Sequence, residues 1–366
     1  MTEVLLQELS NSDIDWMIAT GRQREIAPGT VLVHPGKAAD SLHILLDGNL
    51  TVTVSGTDNN PLARAFAAIE GGETSGREIA RLSSGEVVGE IPFVGVRPSA
   101  TTVRATEKSL VMSIPQQHLA AKLQQDVGFA SRFYRAIAIL FSDRLQSIIN
   151  RFGRSNFAQG KPLRDVLFIL SELHDSDIDW IMAYGTQQRI PANTVLIHEG
   201  GVVDALYILF GGTMSLSVSG DSRNPLTRAF AAIEGDEFSG FEIARLSKGE
   251  IVGETPFIDG RLPSATVKTL EDSFVLSISR QQLAAKLLQD IGFGSRFYRV
   301  IATLLSHRLQ GMLSSLGYGR RVYSKGQSLG ENVEYEDELD VSVLDGLALA
   351  GTRFDWMQRR LRISSV

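Results

Sequence analysis

Residues 85–90 read Gly-Glu-Val-Val-Gly-Glu, and residues 249–254 read Gly-Glu-Ile-Val-Gly-Glu. The surroundings match as well. EIARLS precedes each hexapeptide, at 78–83 and 242–247, and Pro-Phe follows at 92–93 and 256–257. Ser-Ala-Thr then appears at 99–101 and 264–266. Further upstream, TVLVHPG (30–36) answers TVLIHEG (194–200), and SDIDW (12–16) recurs at 176–180. Trp16 and Trp180 hold the same place, 164 positions apart. A repeat of that length is domain-sized and too long for a solenoid or propeller unit, so it predicts two copies of one globular fold.

Within each copy, short β-branched runs are cut by glycine turns. In the first copy they fall at 30–33, 41–46, 50–54 and 109–114, with turns at 34–37, Asp47-Gly48 and Ser55-Gly56. This pattern describes an antiparallel roll or sandwich rather than a parallel α/β sheet. A helical N-terminal segment (2–19) is expected to break at Asn11-Ser12, with Ser12 as cap. The alanine-rich stretch NPLARAFAAIEG (60–71), matched at 224–235, reads as a short inserted helix. Pro115 opens a helix to about Asp126. A longer helix (129–152) follows, with Phe133, Ile137, Leu140, Phe141, Leu145, Ile148 and Ile149 on a wide apolar face. Phe293, Phe297, Ile301, Leu304, Leu305, Leu309 and Met312 answer them in the second copy.

The expected organisation is therefore domain 1 over 1–152, a linker at 153–163, domain 2 over 164–316, a second linker at 317–340 and an amphipathic helix within 341–366. In that last helix Leu344, Leu347, Leu349, Phe354, Met357 and Leu361 share one side, and Arg353, Arg359, Arg360 and Arg362 crowd the end. Cations there complement the helix dipole.

The order Gly29, Val31, Val33, Gly36, Asp40, Leu42, Ile44, Leu45, Gly48, then Gly85–Glu90, then Ser-Ala-Thr, resembles the cyclic nucleotide-binding domain family. Val195, Gly200, Asp204, Leu206, Ile208, Leu209 and Gly212 carry the same order in the second copy. The chain is similar to a tandem, stand-alone bacterial type of this family, with catabolite activator protein-like β-rolls and no helix-turn-helix. The implied fold is mainly β with α: two jelly-roll-like β-rolls, each followed by helices, plus the C-terminal amphipathic helix. The resemblance implies a ligand site at Gly89, Glu90, Ile91, Arg97, Ser99, Ala100 and Thr101, and at Gly253, Glu254, Thr255, Arg261, Ser264, Ala265 and Thr266. In that family the glutamate accepts from a ribose hydroxyl, and an arginine just before Ser/Ala-Ala-Thr pairs with the cyclic phosphate. Here Pro98 and Pro263 stand in the arginine's place, with Arg97 and Arg261 one and two residues earlier.

Other features narrow the function. A net charge of −6 argues against a nucleic-acid footprint. No cysteine occurs, which fits a reducing cytoplasm. No secretory signal or membrane span is expected. The six histidines show no metal-ligand spacing; His34 and His198 recur at one turn. Ser99 and Ser264 lack a nucleophile-elbow context, and Glu70 and Glu234 read as solvated helix ends. The expectation is a non-enzymatic regulatory binding module without a cofactor, for which cAMP or another cyclic nucleotide is the candidate ligand. The alternative is an adaptor whose rolls and last helix assemble with a protein partner or with a second copy, through the post-roll helices.

Overall fold

The computed structural model describes residues 3–54, 77–94, 101–152, 170–219, 240–315 and 341–362. The RAFAAIEG segments, both expected linkers and residues 95–100 lie outside this set. The chain forms two compact units, 1–141 with 305–343 and 142–304 with 344–366.

The first repeat opens with α1 (Glu3–Glu8) and α2 (Asn11–Thr20). The cap of α2 is Ser10 rather than the expected Ser12. Ser10 Oγ accepts from Asp13 N at 3.3 Å, while the Asp13 carboxylate accepts from Ser10 N at 2.9 Å. This reciprocal box satisfies two N-terminal amides at once, which a cap at Ser12 would leave orphaned.

The roll consists of β1 (Arg22–Ile26), β2 (Val31–Val33), β3 (Ser41–Asp47), β4 (Leu50–Val54), β5 (Arg77–Leu82) and β6 (Val87–Val88). The short helix α3 (Ile91–Val94) follows, then β7 (Thr101–Ala105) and β8 (Ser109–Pro115). Two four-stranded antiparallel sheets result, in orders β1-β8-β3-β6 and β2-β7-β4-β5. Leu45, Leu50, Leu82, Val88, Val103 and Val111 from both sheets fill the space between them. After the roll come α4 (Gln116–Gln125) and α5 (Val127–Phe152). Residues 136–141 of α5 are all buried. Six successive positions exceed one 3.6-residue turn, so this stretch is covered on every side, not along one stripe.

The second repeat follows the same plan. It has α6 (Asp175–Tyr184), β9 (Thr186–Ile190), β10 (Val195–Ile197), β11 (Ala205–Gly211), β12 (Met214–Ser219), β13 (Gly240–Leu246) and β14 (Ile251–Val252). Then come α7 (Thr255–Ile258), β15 (Thr266–Thr269), β16 (Ser273–Ser279), α8 (Arg280–Gln289) and α9 (Ile291–Ser315). Its sheets, β9-β16-β11-β14 and β10-β15-β12-β13, repeat the first pair strand for strand. Even the register shift in β3 between Leu45 and Asp47 recurs in β11 between Leu209 and Gly211. Residues 300–307 of α9 are all buried, Thr303, Ser306 and His307 among them.

The last helix, α10 (Val341–Arg360), packs through Ala350, Phe354 and Met357, all at most 4 % exposed. Spacing of i, i+4 and i+7 puts them on one face. Leu349, expected on that face, is 49 % exposed. Phe354 stacks on Phe210 at 5.0 Å between centroids, under the Lys248 ammonium. Arg353 donates to the carbonyl oxygens of Leu170 and Leu173 and to Asp175. The expected dipole complement at the end of α10 is realised by Arg359 and Arg360, whereas Arg353 serves the end of another helix.

Candidate functional site

The Gly-Glu turns lie between β6 and α3, and between β14 and α7. Gly89 and Gly253 take φ of 84° and 87°. A Cβ at Gly89 would run into the Ser41 carbonyl oxygen, and one at Gly253 would sit 2.5 Å from that of Ala205. Only glycine combines this backbone conformation with so close an approach. The turn therefore presses against the strand beside it, and Glu90 and Glu254 are carried inward to 5 % and 7 % exposure. Their carbonyl oxygens accept from Phe93 N and Phe257 N, each at 3.0 Å, and so start α3 and α7. Ile91 and Thr255 are half-buried at the head of these helices.

The earlier glutamate of each hexapeptide is buried too. Glu86 accepts from Ser83 N at 2.6 Å, and Glu250 accepts from Ser247 N. Each closes the tight turn that delivers the strand to the cassette. Beside Glu250, Tyr207, Leu209, Met214, Leu246, Val252 and Val275 line a gap too small for a water.

The first cassette helix touches the long helix after its roll. Phe93 of α3 meets Phe133 of α5 edge-on at 6.2 Å. Phe257 and Phe297 hold the matching places and are buried at 7 % and 5 % exposure.

Of the anticipated ligand residues, Arg97, Ser99 and Ala100 lie outside the described residues. Thr101 is half-buried at the start of β7. The second cassette is described throughout. Ser264 is half-buried, and Ala265 and Thr266 are buried. Thr266 Oγ1 accepts from Glu199 N at 3.1 Å, and Pro263 O accepts from Gly200 N at 2.8 Å. The turn at 198–201 is thereby stitched to the Pro-Ser-Ala-Thr segment. The Glu199 carboxylate accepts from Ser219 N at 2.8 Å and Ser219 Oγ at 2.6 Å.

The Arg261 guanidinium pairs with the carboxylates of Asp259 and Asp143. Burial lowers the Arg261 pKa, but the two acids outweigh burial and hold it above the ordinary arginine value.

Sequence reading missed the strongest electrostatic feature. Asp13 of α2 receives Arg132 Nε at 2.6 Å and Nη2 at 3.0 Å. Asp177 of α6 receives Arg296 Nε at 2.7 Å and Nη2 at 2.9 Å. These bidentate pairs tie the helix before each roll to the long helix after it. Burial pushes the Asp13 carboxyl up, yet bonds from Arg132 and Ser10 prevail and hold it below the usual range. The signal was present: SDIDW and SRFYR are both repeated without change. Asp143, Asp259 and Glu199 carried no such signal, because His307, Gly95 and Pro35 stand at the matching positions.

Paired antiparallel sheets, a Gly-Glu turn that leads into a one-turn helix, and a long helix after the roll define one fold present twice. The family model for the cyclic nucleotide-binding domain matches residues 23–126 and 187–290, more than half of the chain, and the protein belongs to that family. No curated protein matches the chain. Among solved structures, the regulatory domain of Toxoplasma gondii PKA with cAMP is 15 % identical, over 84 % of this chain and 92 % of that one, with a TM-score of 0.29. The Thermus thermophilus catabolite activator protein is 20 % identical over 41 % and 61 %, at 0.32. A cyclic nucleotide-binding domain from Methylobacillus flagellatus is 18 % identical over 41 % and 79 %, at 0.34. No helix among the described residues is long and apolar enough to cross a membrane.

Proposed function

We propose that the protein is a non-enzymatic regulatory module that binds a small ligand at one or both Gly-Glu cassettes and reports it through the long helix after the roll. The observation that carries this reading is the Phe93–Phe133 contact. A ligand seated beside Glu90 would shift α3, and α3 bears directly on α5. The ligand of this reading is a cyclic nucleotide, with Glu90 and Glu254 as ribose acceptors and Arg97 and Arg261 as candidate phosphate partners. In this reading residues 1–152 and 164–316 form the two binding domains, and residues 341–366 form a terminal docking segment. A cysteine-free chain suits a cytoplasmic site of action. Calorimetric titration with cAMP, cGMP and cyclic dinucleotides tests it. The expected result is saturable heat with at least one of them; no heat and no thermal shift with any of them refutes it.

A second reading, an adaptor that assembles without nucleotide, is favoured by the engagement of Arg261 with Asp143 and Asp259. It calls for a stable oligomer or protein complex in ligand-free light scattering. A ligand-free monomer that binds cyclic nucleotide would exclude it.

A further inference from the structure

Arg261 lies two residues before the second cassette's Pro-Ser-Ala-Thr segment, and two acids already hold it. Asp259 takes its backbone amide at 3.0 Å and its Nε. Asp143 takes Nη1 from the other side. The two acids are drier than the arginine: their side chains are 12 % and 17 % exposed against 43 %. Asp143 stands on α5, 118 residues upstream, within the same compact unit as Arg261. Neither acid belongs to the duplicated pattern: Gly95 stands at the match of Asp259 in the first repeat, and His307 at the match of Asp143 in the second. One acid comes from the second repeat and the other from the long helix of the first, and neither is repeated in the other copy.

We infer that Asp143 is the gate residue of the second cassette: it holds Arg261 away from an anionic ligand, and a cyclic phosphate that captures Arg261 sets this part of α5 free. The chemistry is an exchange of one anion for another around a fixed guanidinium. Asp259 holds Nε and Nη2 and Asp143 holds Nη1, so a phosphate that takes the Nη1 side of the fork must displace Asp143. The ligand must therefore displace an internal carboxylate, which weakens its apparent affinity by about tenfold or more, the worth of one charge-assisted bond. By linkage, whatever loosens α5 at Asp143 also strengthens ligand binding. This inference rests on the proposed function, since it assigns regulation to the same site.

The test compares the full chain with D143N, D259N, R261Q and the D143N/R261Q double variant. cAMP and cGMP are titrated by calorimetry, and amide exchange is followed over residues 142–149. D143N is expected to tighten binding at least about tenfold, and R261Q to erase that gain. Without ligand, D143N and R261Q should speed exchange on α5 equally, and the double variant no further. D259N, which leaves α5 untouched, should improve affinity with less effect on α5 exchange. Binding by the D143N variant alone would support both the function and the gate. If the wild-type chain binds and D143N stays within about twofold of it, against the roughly tenfold or more that one charge-assisted bond is worth, the gate is wrong and the function stands. If no form binds either nucleotide, the function falls and the gate falls with it.

Discussion

Asp177 and Arg296 should account for much of the rigidity with which α6 is tied to α9. The Asp177 side chain is 2 % exposed and Arg296 is 22 % exposed. Asp177 accepts two guanidinium bonds and a third from His174 N at 2.9 Å. Replacing it with alanine leaves a largely buried cation without its partner and an uncapped helix start. Breaking one side of a buried pair costs about 3–5 kcal/mol. Arg296 retains some water, so the lower end applies, about 3 kcal/mol, with the cap adding about 1 kcal/mol. The matching change, Asp13→Ala, should cost less, about 2 kcal/mol, because Arg132 is 39 % exposed and water can replace more of the pair. Urea denaturation gives the two losses, and a D177N/R296Q double-mutant cycle isolates the coupling, expected near 2 kcal/mol. Amide exchange along α6 should accelerate in Asp177→Ala ahead of global unfolding. The reasoning is refuted if both alanine variants lose less than about 0.5 kcal/mol, or if the cycle shows no coupling, since each outcome would place these pairs with ordinary surface ion pairs.

His43 is 3 % exposed, bonds Ser113 Oγ at 2.8 Å, and is pushed down to about 4 by burial together with the Arg24 charge. It stays neutral in the fold while the unfolded chain takes up its proton near 6.5, so stability is full above pH 6.5 and falls by about 3 kcal/mol down to pH 4. His43→Gln should flatten that slope in pH-dependent melting, and an unchanged slope would assign it to other groups. Phe354→Ala removes the knob that stacks on Phe210; α10 should detach, visible as faster proteolysis after residue 340, with a loss of up to about 3 kcal/mol. Undiminished protection of α10 would show that Arg353 and Met357 suffice to hold it. Gly253→Val places a branched side chain at φ 87° against the Ala205 carbonyl, and should cost about 2 kcal/mol or more in thermal unfolding. A neutral result would mean that the Gly-Glu turn is not pressed against β11.

Much of the roll was legible because its strands alternate or run apolar: the expected runs at 41–46 and 50–54 became Ser41–Asp47 and Leu50–Val54. The missed strands have a physical excuse. Arg22–Ile26 is exposed at four of its five positions and sits at a sheet edge, so its sequence carries no burial pattern. The long helices were anticipated as amphipathic, yet residues 136–141 and 300–307 are buried on all sides. The small or neutral side chains Ala136, Ala138, Thr303 and Ser306 gave no warning, since residues of this kind suit either environment.

The sequence alone determined that one fold occurs twice, where its Gly-Glu turns lie, and that the arginine of the family pattern is displaced in both copies. These follow from local chemistry: a positive φ demands glycine, a half-buried strand demands alternation, and a proline cannot donate. The partners of charged side chains are another matter. Asp13 finds Arg132 across 119 residues, and Arg261 finds Asp143 across 118. Such pairings arise only when packing brings distant elements together, because a salt bridge depends on distance and dehydration, neither of which is written at either residue. In the second cassette it is the folded chain that sets Asp143 and Asp259 against Arg261.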